Sequence, residues 1–404
     1  MHAYAAVDPI FLAMNARGQR ETNGQLGDFC VKCHAPLAVR SGATTDGLNL
    51  DEVPENEKGI TCYFCHQIAD VDSDHNNGMV VVEDGILRGG IKDPVDTPAH
   101  HSAYSPLHDR NSETSSNLCG GCHDVIVEGF PLERSFREWK DTLYARGDLG
   151  APLSCAGCHM NGSRGKASTE GDVPERLLHD HSNPGVDIAI TDFPGRELQR
   201  SLVEASLFST LTPEVCVDVS PAGVEVAVTF ENVSAGHNFP SGTAHDRRVW
   251  VQVVATRGEE VLFETGVIPD GQPVNEFVDP NLWTMHDRIF DDDGNEVHMF
   301  WEARSNEGTP MPAPATTNVA APEYFDPHVT RRFFFTPAAP PTEVRARVFI
   351  RPVGLDVLQS LVDSGDLDEK YLARMPTFAL GGADITWSAD LGTRCNPASR
   401  PVAR

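Results

Sequence analysis

The chain has 404 residues and a formal net charge of −27, because 59 acidic residues outnumber 32 basic ones. Such an acidic chain repels nucleic acid, so we do not expect nucleic acid as a partner. No apolar run approaches the roughly 18 residues that a membrane-spanning helix requires, so we expect no membrane span. The length predicts two domains, and 34 Gly with 29 Pro indicate many loops and few long helices.

The first predicted element is a helix that begins at Asp8 and Pro9. Asp is a favourable N-cap, and Pro suits the first helical position because its missing N–H would have no partner there. Ile10 and Met14 then share one face of the helix. His2 lies shortly before this helix, where it can reach over a group that the helix holds.

Four copies of the pattern Cys-x-x-Cys-His follow in the first half of the chain. They are CVKCH at 30–34, CYFCH at 62–66, CGGCH at 119–123 and CAGCH at 155–159. In this pattern two cysteines bond to the vinyl groups of haem, and the adjoining histidine ligates the iron. We therefore predict four covalently attached haem c groups. The predicted attachment residues are Cys30, Cys33, His34, Cys62, Cys65, His66, Cys119, Cys122, His123, Cys155, Cys158 and His159.

Zinc binding is the main alternative for these cysteines, because Cys-x-x-Cys pairs with a nearby histidine also suit tetrahedral zinc. Zinc ligands come as two pairs that close on one ion, whereas here a histidine directly follows the second cysteine in every copy. With 10 Cys and 16 His in the chain, chance predicts only roughly 0.01 copies of the pattern. The sequence therefore favours haem.

Two more helices are predicted in the first half. One starts near Pro131 and joins the third motif to the fourth, with Leu132, Phe136, Trp139 and Leu143 recurring at helical spacing. The other covers about 196–209 and ends the first half.

After about residue 211 the apolar period changes from helical to two. The segment VEVAVTF is typical of a strand, and so are RVWVQVVA, EEVLFETG, RRFFFTP and EVRARVFIRP. FDDDGNEV predicts a hairpin with an Asp-Gly turn, and 355–375 predicts two short helices. The predicted fold class is α+β, with an irregular, partly helical tetrahaem domain at 1–210 and an antiparallel β-sandwich domain at 211–404. Cys216 and Cys395 lie outside the motifs and form either a disulfide or two separate thiols.

The second axial position of each iron decides between an electron carrier and an enzyme, because each motif fills only one position. Histidines in loops are the candidates for this second position. They are His2 at the start, His100, His101 and His108 before the third motif, His179 and His181 after the fourth, and His237 in the segment GHNFPSG. Gly236 and Pro240 are expected to shape a sharp loop that projects His237 out of the sandwich.

The chain resembles the multihaem c-type cytochromes, in particular the tetrahaem kind that includes filament-forming extracellular cytochromes. The resemblance rests on MHAYAAVDPIF, GDFCVKCHAP, GITCYFCHQ, SSNLCGGCHD, SCAGCHM, LLHDHSNPG and NVSAGHNFPSGTAHDRRVWVQV, which cover most of the chain. It implies electron transfer through closely stacked haems with two histidines on each iron. The sixth ligands that it implies are His2, His101, His181 and His237, with His108 and His179 as reserves.

From the motifs and the resemblance together we expect an electron carrier rather than an enzyme. Its expected partners are redox proteins or an extracellular acceptor, and a homopolymer is the expected assembly if it builds filaments. A multihaem oxidoreductase acting on a small nitrogen or sulfur compound at an open haem is the alternative. Haem is attached through thioethers outside the cytoplasm, which predicts a periplasmic or extracellular location, although MHAYAAVDPI contains no secretion signal.

Overall fold

A computed structural model describes residues 1–95, 100–127, 129–147, 152–169 and 172–397. Contacts within the chain divide it into two compact units. Unit 1 comprises Met1–Gln199 together with two short segments from later in the chain, Met299–Trp301 and Asp363–Leu367. Unit 2 comprises the remaining described residues. The predicted boundary at 210/211 stays a prediction.

Unit 1 consists of short helices and short strands. The helices are α1 (Pro9–Glu21), α2 (Val31–His34), α3 (Pro36–Ser41), α4 (Cys62–Gln67), α5 (Ser115–His123), α6 (Ser135–Lys140), α7 (Leu143–Arg146) and α8 (Cys155–His159). The strands are β1 (Ile68–Ser73), β2 (Gly78–Val81), β3 (Ile86–Gly89), β4 (His101–Tyr104), β5 (Val125–Val127), β6 (Phe130–Glu133), β7 (Gly162–Lys166) and β8 (Glu175–His179). Single 3-10 turns lie at His2–Tyr4, Glu55–Glu57 and Pro106–His108.

The start of α1 agrees with the prediction. Asp8 Oδ1 accepts a hydrogen bond from the backbone N–H of Ile10 at 3.0 Å, and Pro9 occupies the first helical position. The cap satisfies an N–H that the helix itself cannot pair.

The helix predicted from Pro131 onward is wrong in its first part. Pro131 and Leu132 lie in strand β6, which pairs antiparallel with β5, and helical structure begins only at Ser135. The apolar spacing of Leu132 and Phe136 also fits a strand that is followed directly by a helix. Hydrogen bonding to β5 makes Pro131 and Leu132 part of a strand rather than of the helix.

Unit 1 has several small apolar clusters. The cluster between α1 and α2 consists of Ala6, Phe11, Val31, Ala35, Ala38, Leu50 and Val53. A second cluster, around Phe64, Ile68 and Met79, lies where α4 meets β1 and β2. The strands of unit 1 pair two by two, and β3–β4 is the parallel pair. A two-stranded sheet cannot cover a large core, so the short helices carry most of the packing.

Helix α1 also binds the two later segments of unit 1. Trp301 Nε1 donates a hydrogen bond to Glu21 Oε2 at 2.9 Å. Arg20 makes two hydrogen bonds of 2.6 Å to the carboxylate of Asp366. These contacts are why residues so far along the chain belong to the first compact unit.

Unit 2 is mainly strands. They are β9 (Thr212–Ser220), β10 (Gly223–Glu231), β11 (Arg248–Arg257), β12 (Glu260–Thr265), β13 (Trp283–Met285), β14 (Asp287–Phe290), β15 (Glu296–Val297), β16 (Ser305–Gly308), β17 (His328–Phe335), β18 (Glu343–Arg351), β19 (Phe378–Ala379), β20 (Ile385–Ser388) and β21 (Asn396–Pro397). Helix α9 (Arg196–Phe208) crosses from unit 1 into unit 2, and α10 (Leu355–Asp363) follows β18. Single 3-10 segments cover Val274–Glu276, Glu369–Arg374, Gly381–Ala383 and Ala389–Leu391.

Two antiparallel sheets dominate unit 2. One has the order β17-β10-β9-β21, and the other has β12-β11-β18-β19 with β13 on β11 and β20 on β18. Rings from the two sheets meet: the centroids of Phe230 and Trp283 are 5.5 Å apart, and those of Phe263 and Phe333 are 5.9 Å apart. The period of two in β10 places alternate side chains in this apolar layer, as predicted.

The mixed α+β class is confirmed. The strand segments predicted in the second half form β10, β11, β12, β17 and β18, and FDDDGNEV forms the β14–β15 hairpin. Cys216 and Cys395 form a disulfide within unit 2. Within the described ranges, no helix combines the length and the apolar character that crossing a bilayer demands.

Candidate cofactor-binding site

All four Cys-x-x-Cys-His motifs lie on helical turns. They form α2, the first turns of α4, the end of α5 and the whole of α8. Residues three apart on a helix share a face, so each turn presents its two sulfurs together with the histidine beside them. Thr61 and Ser154 cap the second and fourth motifs, since each hydroxyl accepts a backbone N–H at 3.1 and 3.0 Å respectively.

Of the ten cysteines, all within the described ranges, Cys216 and Cys395 form a disulfide, and the eight motif cysteines form none. Helix α5, which ends in the third motif, accepts the backbone N–H of Cys155 through Ser116 Oγ at 3.1 Å, and Asn77 donates both to Gly121 O of the third motif and to Lys32 O of the first. The third motif therefore lies against both the first and the fourth.

Each motif histidine directs its Nδ1 atom toward an oxygen. The partners are Ala5 O for His34 at 3.2 Å, Arg88 O for His66, Pro184 O for His159 at 2.8 Å, and Glu133 Oε1 for His123 at 3.2 Å. These oxygens accept hydrogen bonds, so Nδ1 carries the proton and donates it. In the neutral imidazole the other nitrogen, Nε2, then carries the lone pair that a metal ligand uses.

The local electrostatics differ among these histidines. Burial lowers the pKa of His34 and of His159, which keeps both imidazoles neutral. The charge of Glu133 raises the pKa of His123 to about 9. The third motif thus differs from the other three, because its histidine is hydrogen-bonded to a carboxylate and theirs to backbone carbonyls.

Two histidines from outside the motifs face motif histidines at the spacing of an axial pair. Two imidazoles that bind one metal from opposite sides, through bonds of about 2 Å each, have ring centroids about 6 Å apart. The centroids of His2 and His123 are 6.2 Å apart, and those of His66 and His181 are 6.1 Å apart. Surrounding protein atoms desolvate His2, and with His123 and the terminal amine they lower its pKa to about 4.

His108 is a second neighbour of His66. Its ring centroid lies 5.5 Å from that of His66, and its Nε2 contacts the carbonyl oxygen of Cys65 at 2.8 Å. Its Nδ1 is buried and has no hydrogen-bond partner among the described residues. His108 thus competes with His181 for the space beside His66.

The other predicted histidines lie as follows. His101 begins β4 and is exposed, and His179 ends β8 with Nδ1 3.4 Å from a guanidinium nitrogen of Arg110. His237 belongs to unit 2, in the loop between β10 and β11, where its Nδ1 donates to Asn238 O at 2.8 Å. The sharp turn predicted for this loop is present, with Gly236 at φ 73°.

Three residues near the motifs were not predicted from the sequence. Arg110 donates to the carbonyls of Gly157 and Met160 at 2.9 and 3.0 Å, and so binds the end of α8, where unpaired carbonyls favour a cation. Glu133 binds His123. Gly120, inside the third motif, leaves room for Phe136, because a Cβ there would lie 2.6 Å from the ring. No local pattern distinguishes any of the three.

Comparison with known proteins supports the fold. No family model matches the chain, and no curated protein matches it. Among solved structures, a penta-heme cytochrome c552 from Thermochromatium tepidum matches with a TM-score of 0.57 and 19% sequence identity, over 89% of this chain and 83% of that one. The chain therefore shares its fold with a multihaem c-type cytochrome.

Proposed function

We propose that this chain is an electron-transfer protein that carries four haem c groups, one on each Cys-x-x-Cys-His motif. The observation that supports this proposal is that all four motif histidines direct Nδ1 to an oxygen, which places the lone pair of each neutral imidazole on Nε2, the atom that would bind iron. The eight motif cysteines form no disulfide, so each motif retains two sulfurs for attachment to haem. A structural zinc site would bring two Cys-x-x-Cys pairs to one ion, and no described cluster combines a motif cysteine with other metal ligands in that way.

The residues of each motif have separate roles. The two cysteines hold the haem covalently, and the histidine binds its iron and is kept in orientation by the oxygen at Nδ1. When bound, haem supplies iron that exchanges one electron between its ferric and ferrous states. Because Cys155 N–H bonds to Ser116 of α5, and Asn77 bonds to both Gly121 and Lys32, the first, third and fourth attachment sites are neighbours.

We assign His2 as the second axial ligand opposite His123, and His181 as that opposite His66. Their centroid spacings of 6.2 and 6.1 Å support these pairs. We propose His101 and His237 as the second axial ligands of the other two irons. His108 and His179 are the alternative candidates for these positions. Two strong ligands on an iron leave no position for a substrate, which favours electron transfer over catalysis.

The proposed location is the periplasm or the extracellular space. The disulfide between Cys216 and Cys395 supports an oxidising compartment. The net charge of −27 suits a basic redox partner or an extracellular acceptor. We also propose that the protein assembles into a conducting filament. Electron microscopy of the purified protein tests this, and the observation of monomers alone would contradict it.

Haem counting tests the central claim. We expect mass spectrometry and the alkaline pyridine spectrum of purified protein to give four haems per chain. We also expect low-spin spectra with no response to carbon monoxide in the reduced state. Colourless protein, or fewer than four haems, would contradict the proposal. A carbon monoxide adduct at one haem would instead favour the oxidoreductase that acts at an open iron.

A further inference from the structure

The hairpin that follows the third motif places the carboxylate of Glu133 beside His123 of that motif. Strand β5 begins two residues beyond His123, and β6 pairs back so that Glu133 stands opposite Val125. This brings Glu133 Oε1 to 3.2 Å from His123 Nδ1. The side chain of Glu133 is only 14% exposed, so water screens its charge weakly.

The other three motif histidines have neutral acceptors. His34, His66 and His159 each direct Nδ1 to a backbone carbonyl. A carboxylate is a stronger acceptor than an amide carbonyl, because its hydrogen bond is charge-assisted. It draws the Nδ1 proton closer and makes the imidazole a better electron donor through Nε2. A better donor stabilises ferric iron more than ferrous iron, and the nearby negative charge acts in the same direction.

We propose that Glu133, acting through His123, holds the haem of the third motif at a lower reduction potential than a backbone acceptor would. This inference rests on the proposed function. Glu133 is a positioning residue, since it touches the ligand and not the iron. Asn77 links Gly121 of the third motif to Lys32 of the first, and Ser116 of α5 bonds to Cys155 of the fourth, so the haem of the third motif is the shared neighbour. A low potential there directs electrons to the haems on either side.

The test is Glu133→Gln, which keeps the shape and an acceptor oxygen but removes the charge. In a spectroelectrochemical titration we expect the transition of the third-motif haem to move furthest to higher potential, and that of the first-motif haem to move less, because the charge of Glu133 also acts on His34. The expected size is about tenfold in the ferric-to-ferrous ratio at fixed potential, or about 59 mV for one electron. The control Glu55→Gln removes the same charge from the exposed turn at Glu55–Glu57 and should shift no single transition.

The outcomes separate the two proposals. Four haems with unchanged potentials in Glu133→Gln would overturn the role of Glu133 and leave the proposed function standing. Colourless wild-type protein would overturn both. Should the variant not mature, electron paramagnetic resonance of the wild type decides. We expect the ferric signal that is reduced last to have a smaller largest g value than the other signals, as imidazolate character produces. Four equivalent signals would contradict the inference.

Discussion

The imidazole ring centroids of His2 and His123 lie 6.2 Å apart, with the ring planes tilted by 45°, although the two residues are far apart in the sequence. The carbonyl oxygen of His2 helps to hold this arrangement, because it accepts the backbone N–H of Ile60 at 3.0 Å. A 3-10 turn over His2–Tyr4 and the buried ring of Tyr4 anchor the same segment. These contacts fix the segment that carries His2 beside the third motif.

Replacing His2 should open one haem. In His2→Ala we expect one of four haems to become high-spin and to bind carbon monoxide when reduced, because its iron loses an axial nitrogen. Absorption spectra and carbon monoxide titration measure this. His75→Ala is the control, since His75 lies in a turn and bonds to Ser73 and Asp74. Binding of carbon monoxide to none of the haems would contradict the pairing.

His181 and His108 can be separated by the same measurement. We expect His181→Ala to open the haem of the second motif. His108→Ala should leave that haem low-spin, because Nε2 of His108 is occupied by Cys65 O at 2.8 Å. The reverse pattern would assign His108 as the ligand and His181 as a neighbour.

Glycine at 120 is expected to be necessary for packing in unit 1. Ala normally stabilises a helix by about 1 kcal/mol relative to Gly. At Gly120 the added Cβ would lie 2.6 Å from Phe136, so Gly120→Ala should destabilise unit 1 by about 1–3 kcal/mol. Gly157→Ala is the matched control in the fourth motif, where the nearest atom is at 3.4 Å. Thermal unfolding tests this, and we expect a lower unfolding midpoint for Gly120→Ala than for Gly157→Ala. Similar midpoints for the two variants would contradict the prediction.

A buried ion pair makes unit 2 sensitive to acid. Burial alone would raise the pKa of the Asp356 carboxyl, but the charge and hydrogen bonds of Arg248 outweigh burial and hold that pKa below its ordinary value. The stabilisation is thus complete above about pH 4, the unfolded pKa, and is lost as pH falls through the folded pKa. We expect the free energy of unfolding to decline in that acid range, and to decline less in Asp356→Asn.

At neutral pH, Asp356→Asn should cost about 3–5 kcal/mol, because it leaves the Arg248 charge buried without its partner. Asp384→Asn breaks the exposed pair with Arg345 and should cost about 0–1 kcal/mol. Denaturant unfolding measures both. Equal costs would contradict the assigned importance of burial.

The disulfide should stabilise unit 2. Cys216 and Cys395 are separated by 179 residues, and closing a loop of this length restricts the unfolded chain. The double variant Cys216→Ser with Cys395→Ser should lower the free energy of unfolding by about 2–5 kcal/mol. We expect its haem content to equal that of the wild type, since both residues lie outside the motifs. A reduced haem count would link the disulfide to maturation.

Local patterns predicted the elements whose signals lie within a few residues. The cap at Asp8 and the strands with a period of two each depend on neighbours in the chain, and the structure contains them. The strand at Pro131 was missed because its partner, β5, lies on the other side of a turn. Pairing between strands overrides a short run of helical spacing.

The sequence by itself determined that four Cys-x-x-Cys-His motifs precede a strand-rich half, because covalent spacing and side-chain period are local properties. Only the tertiary structure decided which distant groups meet the motif histidines. The pairing of His2 with His123, the carboxylate of Glu133 and the space at Gly120 depend on where the backbone returns after turns and loops. Contacts between residues so far apart in the sequence cannot be predicted from local patterns, because the packing of the whole unit brings their side chains together.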